Sequence, residues 1–306
     1  MKNFLLKITV LAIIPVALSS CASLRQHSTQ TKSPQIVAHR GGKNDFPENT
    51  LLAFNNALQK GADAVEMDIQ VSKDSVPVLY HPNDLSVWTD GKGKIENFTL
   101  KELNKLNAAW NYQPDKGFPY RKLPLHIPTL REALNTIPSD IPITLDMKSL
   151  PPGILVRSIA RVLDELNAWN RVIFYSTSIA HLNALKAWPK ARVFEARELT
   201  RQRLLDYRIN RKYQAPDTSV TWIGFELQRS FTINEALTLG EGSSPVTIDL
   251  WDKELIRTIK GKSGKIKIIL FGINNEQDYQ KAGELGADAV LTDAPANLTN
   301  IRAKMK

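Results

Sequence analysis

From residue 35 onward, short apolar runs alternate with stretches of helical period, and this βαβα rhythm constrains the fold more than any other feature. Strands are predicted at 36–39, 64–71, 141–148, 172–176, 192–195, 221–226, 246–250, 266–271 and 289–292. Helices are predicted at 50–60, 130–137, 154–166, 179–188 and 276–285. A helix between consecutive strands makes them parallel neighbours, which leaves a closed barrel or an open doubly wound sheet. The open sheet's phosphate turn, G-x-G-x-x-G after the first strand, is absent. The expectation is an α/β protein of the (β/α)8 TIM-barrel class. Nine strands exceed the eight of a closed barrel, so the run at 221–226 or the one at 246–250 is a miscount or an addition.

One domain over 35–300 suits this pattern, because barrels of about 250 residues fold as a unit. The stretch 82–126 is too long for a βα loop and is punctuated by Thr89-Asp90-Gly91 and by prolines from Pro114 to Pro119. It reads as a subdomain inserted after the second strand. A short helix is expected at 100–106, with Trp110, Tyr112, Phe118 and Tyr120 available to line a cleft or to pack the insertion on the barrel. Residues 301–306 read as a basic tail.

Ahead of the domain, Lys2 and Lys7 precede an apolar run at 8–18 that is too short to span a bilayer. Residues 1–20 therefore read as a signal peptide and 21–34 as a flexible tether. Leu18-Ser19-Ser20-Cys21 resembles the lipobox of bacterial lipoproteins, which implies lipidation of Cys21, the chain's single cysteine. The expectation is an exported, membrane-anchored lipoprotein, on the outer membrane or the periplasmic face in a Gram-negative cell. The formal net charge of +9 falls to +7 without Lys2 and Lys7. It is spread over many segments, so the basic stretches 197–212 and 260–267 read as solvated faces and not as nucleic-acid sites. No protein partner is implied.

The chemistry-bearing residues fall on the predicted strands. Glu66 and Asp68 alternate with Val65, Met67 and Ile69, so both carboxylates share one strand face and point inward. Two like charges held together call for a cation or a proton between them. Asp146 and Lys148 repeat the same spacing. Oxygen-only ligands suit one divalent cation, Mg²⁺ or Ca²⁺, better than zinc. His39 ends the first strand and His81 the extended run 76–80, at strand C-terminal ends where barrel enzymes place their sites. Two imidazoles can supply one base and one acid.

His39-Arg40-Gly41-Gly42, Pro47-Glu48-Asn49-Thr50, Glu66-x-Asp68, His81 and Leu291-Thr292-Asp293-Ala294-Pro295 occur in the order found in glycerophosphodiester phosphodiesterases. The resemblance spans roughly 35–300. It implies a metal-dependent barrel enzyme that hydrolyses glycerophosphodiesters to glycerol 3-phosphate and an alcohol. Carried over by position, it makes Glu66, Asp68 and Asp146 metal ligands, and His39 and His81 an acid/base pair. Arg40 and Lys148 become phosphate contacts and Glu48 a supporting carboxylate.

The chain departs from the family pattern in three places. Asp146 stands where Glu is usual, Pro82 where Asp commonly follows the histidine, and Phe271-Gly272-Ile273-Asn274 where Trp-Thr-x-Asn is commoner. The competing readings are a phospholipase D acting on lysophospholipid or sphingomyelin, which shares the same core, and a non-catalytic phosphodiester-binding lipoprotein, which the retained histidines disfavour. A zinc amidohydrolase is disfavoured because His-x-His does not occur.

Overall fold

The computed structural model describes residues 33–261 and 264–305. Its strands are β1 (Gln35–Ala38), β2 (Ala64–Val71), β3 (Pro77–Leu79), β4 (Ile143–Met147), β5 (Val172–Tyr175), β6 (Arg192–Val193), β7 (Trp222–Glu226), β8 (Gln228–Leu237), β9 (Gly240–Asp249), β10 (Lys267–Phe271) and β11 (Ala289–Thr292). The helices are α1 (Leu51–Gln59), α2 (Leu100–Leu103), α3 (Leu130–Thr136), α4 (Pro152–Glu165), α5 (Ile179–Leu185), α6 (Arg197–Asn210), α7 (Lys253–Lys260), α8 (Glu276–Leu285) and α9 (Pro295–Lys304).

Strands β1, β2, β4, β5, β6, β7, β10 and β11 pair in parallel in sequence order, and β1 pairs with β11. A parallel bridge between Phe194 and Trp222 closes the remaining seam, so the sheet is a (β/α)8 barrel. The run at 221–226 supplies a barrel strand. The run at 246–250 is the addition: its residues lie mainly in β9, which pairs only with β8 in an antiparallel hairpin outside the barrel.

Strand alternation sorts the side chains. Val65, Met67 and Ile69 of β2 are fully buried beneath the helices, while Ala64 joins Val37, Ile173, Tyr175, Phe194 and Ile269 inside the barrel. Each outward apolar side chain contributes about 1.5–3 kcal/mol on burial. A one-residue slip of β2 would drive Glu66 and Asp68 under the helices, so this packing fixes where the carboxylates point. Helix α1 starts at Thr50, whose hydroxyl accepts from Ala53 N. α2 and α3 each carry a capping box, Thr99 with Glu102 and Thr129 with Glu132.

The insertion after β3 contains 3₁₀ turns and α2, with its own small core of Leu85, Ile95, Leu103 and Ile127. Its aromatics pack it in place. Tyr112 OH donates to Lys43 O at 3.1 Å, and Tyr120 meets both Tyr112 and Phe46 edge-on. Part of the expected basic tail is helix: Ile301 is buried in α9, and Arg302 bonds Asp63.

Cys21, the expected signal peptide and all of the expected tether but its last two residues lie outside the described residues. The expected membrane partner and the exported, membrane-anchored location are corrected on one finding. Among the described residues, no helix is long and apolar enough to cross a membrane. Neither expectation, nor the lipoprotein and signal-peptide assignments that accompanied them, is carried further.

Candidate active site

Glu66, Asp68 and Asp146 meet at the C-terminal mouth of the barrel. Asp68 and Asp146 are register partners in the β2–β4 pairing, so backbone hydrogen bonding brings their side chains together. One oxygen from each of the three carboxylates lies within 4.8 Å of the others. All three groups are buried.

Two cations lie against this cluster. Lys148 Nζ is 2.5 Å from Asp146 Oδ2 and 3.0 Å from Asp68 Oδ1. Arg40 Nε is 3.1 Å from Asp68 Oδ2, and its Nη1 donates to Glu48 Oε2 at 3.1 Å. With Glu48 included, four carboxylates face two cations and leave a formal charge of −2. Burial, and then the charges of Asp68 and Asp146, push the Glu66 carboxyl well above the usual range. Burial likewise raises Asp146 to about 7, against the pull of Lys148. Asp68 is also desolvated, but Lys148 and Arg40 outweigh that and hold it below the usual range. Asp146 Oδ1 is buried with no hydrogen-bond partner. Excess buried negative charge, a vacant acceptor and an all-oxygen donor set fit a hard divalent cation.

The backbone that carries His39 and Arg40 is tightly turned. Arg40 has φ +53° and the two glycines after it are also left-handed. A Cβ on Gly42 would lie 2.6 Å from Pro295 Cγ, so only glycine fits there. The turn brings Arg40 N to Glu66 Oε2, to which it donates at 2.8 Å. His39 Nδ1 and Asp293 Oδ1 are 2.5 Å apart, while Nε2 lies 3.9 Å from Glu66 Oε2. Burial raises Asp293, but the hydrogen bond from His39 and the charge of Lys43 more than offset it and hold the carboxyl below the usual range.

His81 reaches the same mouth by a different route from that expected. It does not end a barrel strand; β3 runs antiparallel to β2 and carries the chain back toward Asp68. Gln70 Nε2 donates to the carbonyls of Tyr80 and Pro82, both at 2.9 Å, and pins the turn that holds His81. Asp84 does not take the place of the aspartate that Pro82 displaces, since its carboxylate accepts from Ser86 N and Gly93 N. Burial, with further lowering from Arg40 and Lys148 against the opposing pull of Asp68, brings the His81 imidazole down to about 4.

A cavity of about 300 Å³ opens beside the cluster, bordered by His39, Glu66, Asp146 and Asp293 and by the aromatic rings of Tyr175, Phe194 and Phe271. Phe271 borders this cavity, whereas the four insertion aromatics do not line it. The structure thus brings together the expected site residues that lie among the described ones.

Sequence reasoning missed several residues with a place here. Asn49 stands in the Pro47-Glu48-Asn49-Thr50 motif with no role given to it, yet its side chain donates to Asp68 Oδ2 at 2.9 Å and accepts from Asp68 N at 3.0 Å. Asn274 Oδ1 accepts from Asp293 N at 2.8 Å and fixes the carboxylate behind His39. Arg197 belongs to a stretch read as a solvated face, but it lines the cavity and bonds Tyr175 OH and Glu226. Gln70 carried a signal, since it continues the i, i+2 series of Glu66 and Asp68.

A parallel barrel with buried carboxylates, paired cations and an Asp-backed histidine at its C-terminal mouth defines a metal-assisted hydrolase of the phosphoryl-transfer class. The family model that matches residues 39–297 is that of the glycerophosphoryl diester phosphodiesterase family. The chain is 42% identical over 268 residues to the uncharacterized protein Rv2277c of Mycobacterium tuberculosis, covering 87% of this chain and 89% of the relative. The crystal structure of that protein's glycerophosphoryl diester phosphodiesterase domain superposes with a TM-score of 0.80 at 40% identity, covering 88% of this chain and 99% of the other. An Oleispira antarctica phosphodiesterase, solved in complex with the product sn-glycerol-3-phosphate, gives a TM-score of 0.65 at 26% identity, covering 89% and 97%. This chain belongs to the glycerophosphoryl diester phosphodiesterase family, and it is a phosphoric diester hydrolase.

Proposed function

We propose that the enzyme hydrolyses glycerophosphodiesters to glycerol 3-phosphate and an alcohol, with His39 and His81 as its acid/base pair and Mg²⁺ or Ca²⁺ at Glu66, Asp68 and Asp146. The observation that carries this reading is the cluster of three buried carboxylates beside an Asp-backed histidine, with Glu66, Asp146 and His39 bordering one cavity. Sn-glycerol-3-phosphate as the named product of the Oleispira relative supports the same substrate class. A divalent cation bound there would supply electrostatic stabilisation to the phosphoryl oxygens.

The chain's own groups divide the remaining work. Arg40 and Lys148 bring positive charge to the substrate phosphate, and Glu48 holds Arg40 in place. Burial favours the neutral imidazole of His81, so it accepts a proton from the attacking water. His39 has its Nδ1–H committed to Asp293 and delivers a proton from Nε2 to the leaving alkoxide. The P–O bond to the alcohol breaks as the new P–O bond forms.

Leaving-group dependence tests this division of roles. His39→Ala should lose about 10²- to 10⁴-fold on an alkyl phosphodiester and recover most of it on a nitrophenyl diester, whose leaving group needs no proton. His81→Ala should be slow on both. Equal losses on both substrates for His39→Ala would refute its role as the acid.

A further inference from the structure

The barrel has a second opening, at the N-terminal ends of its strands and away from the carboxylate cluster. Gln35, Ala64, Arg192, Trp222 and Lys267 are the first residues of β1, β2, β6, β7 and β10, and all border a cavity of about 310 Å³. Thr144, Phe194 and Ile269 border both this cavity and the active-site cavity, so a layer of barrel side chains lies between the two ends.

Three cations converge on this mouth, Arg171, Arg192 and Lys267, with Asp140 as the one carboxylate in the wall. Arg171 is only 8% exposed, and its Nη2 donates to the carbonyls of Ile137 at 3.1 Å and Leu134 at 3.4 Å. Arg192 Nη2 donates to the carbonyls of Asn170 and Val172. Neither guanidinium is bonded to a carboxylate, and the Nε atom of each is buried with no hydrogen-bond partner. Lys267 Nζ stands 5.5 Å from the centroid of the Trp222 ring. Burial pulls both arginines below their ordinary pKa, with Asp140 alone opposing it at Arg171 and no carboxylate opposing it at Arg192.

Bonds to loop carbonyls explain why the arginines help hold the barrel floor. They do not explain why a third cation and a cavity lie beside them, or why two Nε donors stay unused. Leaving a buried cation without a counter-charge is costly, and an anion in the cavity would offset that cost. Three cations against Asp140 give the mouth a formal charge of +2, which matches a phosphate dianion.

We propose that the N-terminal mouth of the barrel is a second ligand site that binds a small phosphate-class anion through Arg192, Lys267 and Arg171. The site is separate from the hydrolytic one and does not depend on the reaction assigned there.

Equilibrium dialysis of the metal-loaded protein against labelled inorganic phosphate tests it. The wild type should bind two phosphates per chain, one at each end of the barrel. Lys267→Gln, at an exposed position, should weaken one of the two by about tenfold, the scale of a lost charge-assisted hydrogen bond, and leave hydrolytic turnover unchanged. Arg192→Gln should abolish the same site; should that variant fail to fold, Lys267→Gln alone decides. Binding of a single phosphate that Lys267→Gln does not affect overturns the proposal. Survival of the Lys267-dependent phosphate without any hydrolytic activity would overturn the functional reading instead and leave this site standing.

Discussion

Replacing Asp293 by Asn removes the charge behind His39 while keeping the side chain's shape. The asparagine should stay in place, because Asn274 holds the backbone N–H of residue 293 and Thr292 OH at 2.8 and 3.0 Å. The group that faces His39 Nδ1 can then be an NH₂ donor, which favours a ring with its proton on Nε2 and no counter-charge for a second one. The contact affected is the 2.5 Å pairing with Oδ1, the only side-chain hydrogen bond that His39 makes among the described residues. Loss of general acid catalysis costs about 10²- to 10⁴-fold, or about 2.7–5.4 kcal/mol of transition-state stabilisation. Steady-state kinetics on glycerophosphocholine should show the loss in kcat with KM little changed, since the substrate contacts remain. A nitrophenyl diester should suffer much less. A folded, metal-loaded Asp293→Asn enzyme with kcat on glycerophosphocholine within about threefold of wild type would refute the role given to the pair.

Three further outcomes follow from the same geometry. Asn49→Ala leaves the Asp68 N–H buried and unpaired and puts alanine at φ +56°, so chemical denaturation should show a loss of about 2 kcal/mol or more; an unchanged denaturation midpoint would contradict the clamp. Burial raises Asp146 to about 7, and Glu66 is also raised well above the usual range, so below pH 7 Asp146 carries a proton that a cation must displace. Apparent metal affinity should therefore fall as the pH drops below 7, and calorimetry at pH 6 in buffers of different ionisation enthalpy should detect proton release. The double variant His39→Ala/His81→Ala should be little slower than the worse single variant, because the two rings serve one reaction step; multiplicative losses would separate their roles.

The barrel itself was legible because its strands, buried on both faces, read mainly as short apolar runs set between helical stretches. The boundaries of β2 and β11 were read correctly to the residue. The hairpin of β8 and β9 was not foreseen: most of its side chains are exposed, so little apolar pattern marks it. Helix α6 was missed for a related reason, since it buries only Thr200, Arg203 and Leu204 along its length. In the site, Glu66, Asp68 and Asp146 could be found from strand alternation alone. Asn49, Asn274 and Asp293 could not be given their contacts, because each acts across a long sequence separation by one or two hydrogen bonds. His81 was placed at the right mouth, but the antiparallel reversal that takes it there depends on β3, whose three residues are too few to show a period.

The central claim, metal-dependent hydrolysis of a glycerophosphodiester at the carboxylate cluster, is tested most directly by one reconstitution experiment. The protein is stripped with EDTA, dialysed, and assayed for release of glycerol 3-phosphate from glycerophosphocholine before and after addition of Mg²⁺ or Ca²⁺, with Asp68→Asn in parallel. The account predicts no turnover in the stripped enzyme, recovery with either or both cations, and neither metal retention nor recovery in Asp68→Asn. Undiminished glycerol 3-phosphate release from a stripped enzyme shown by elemental analysis to hold no metal would contradict it.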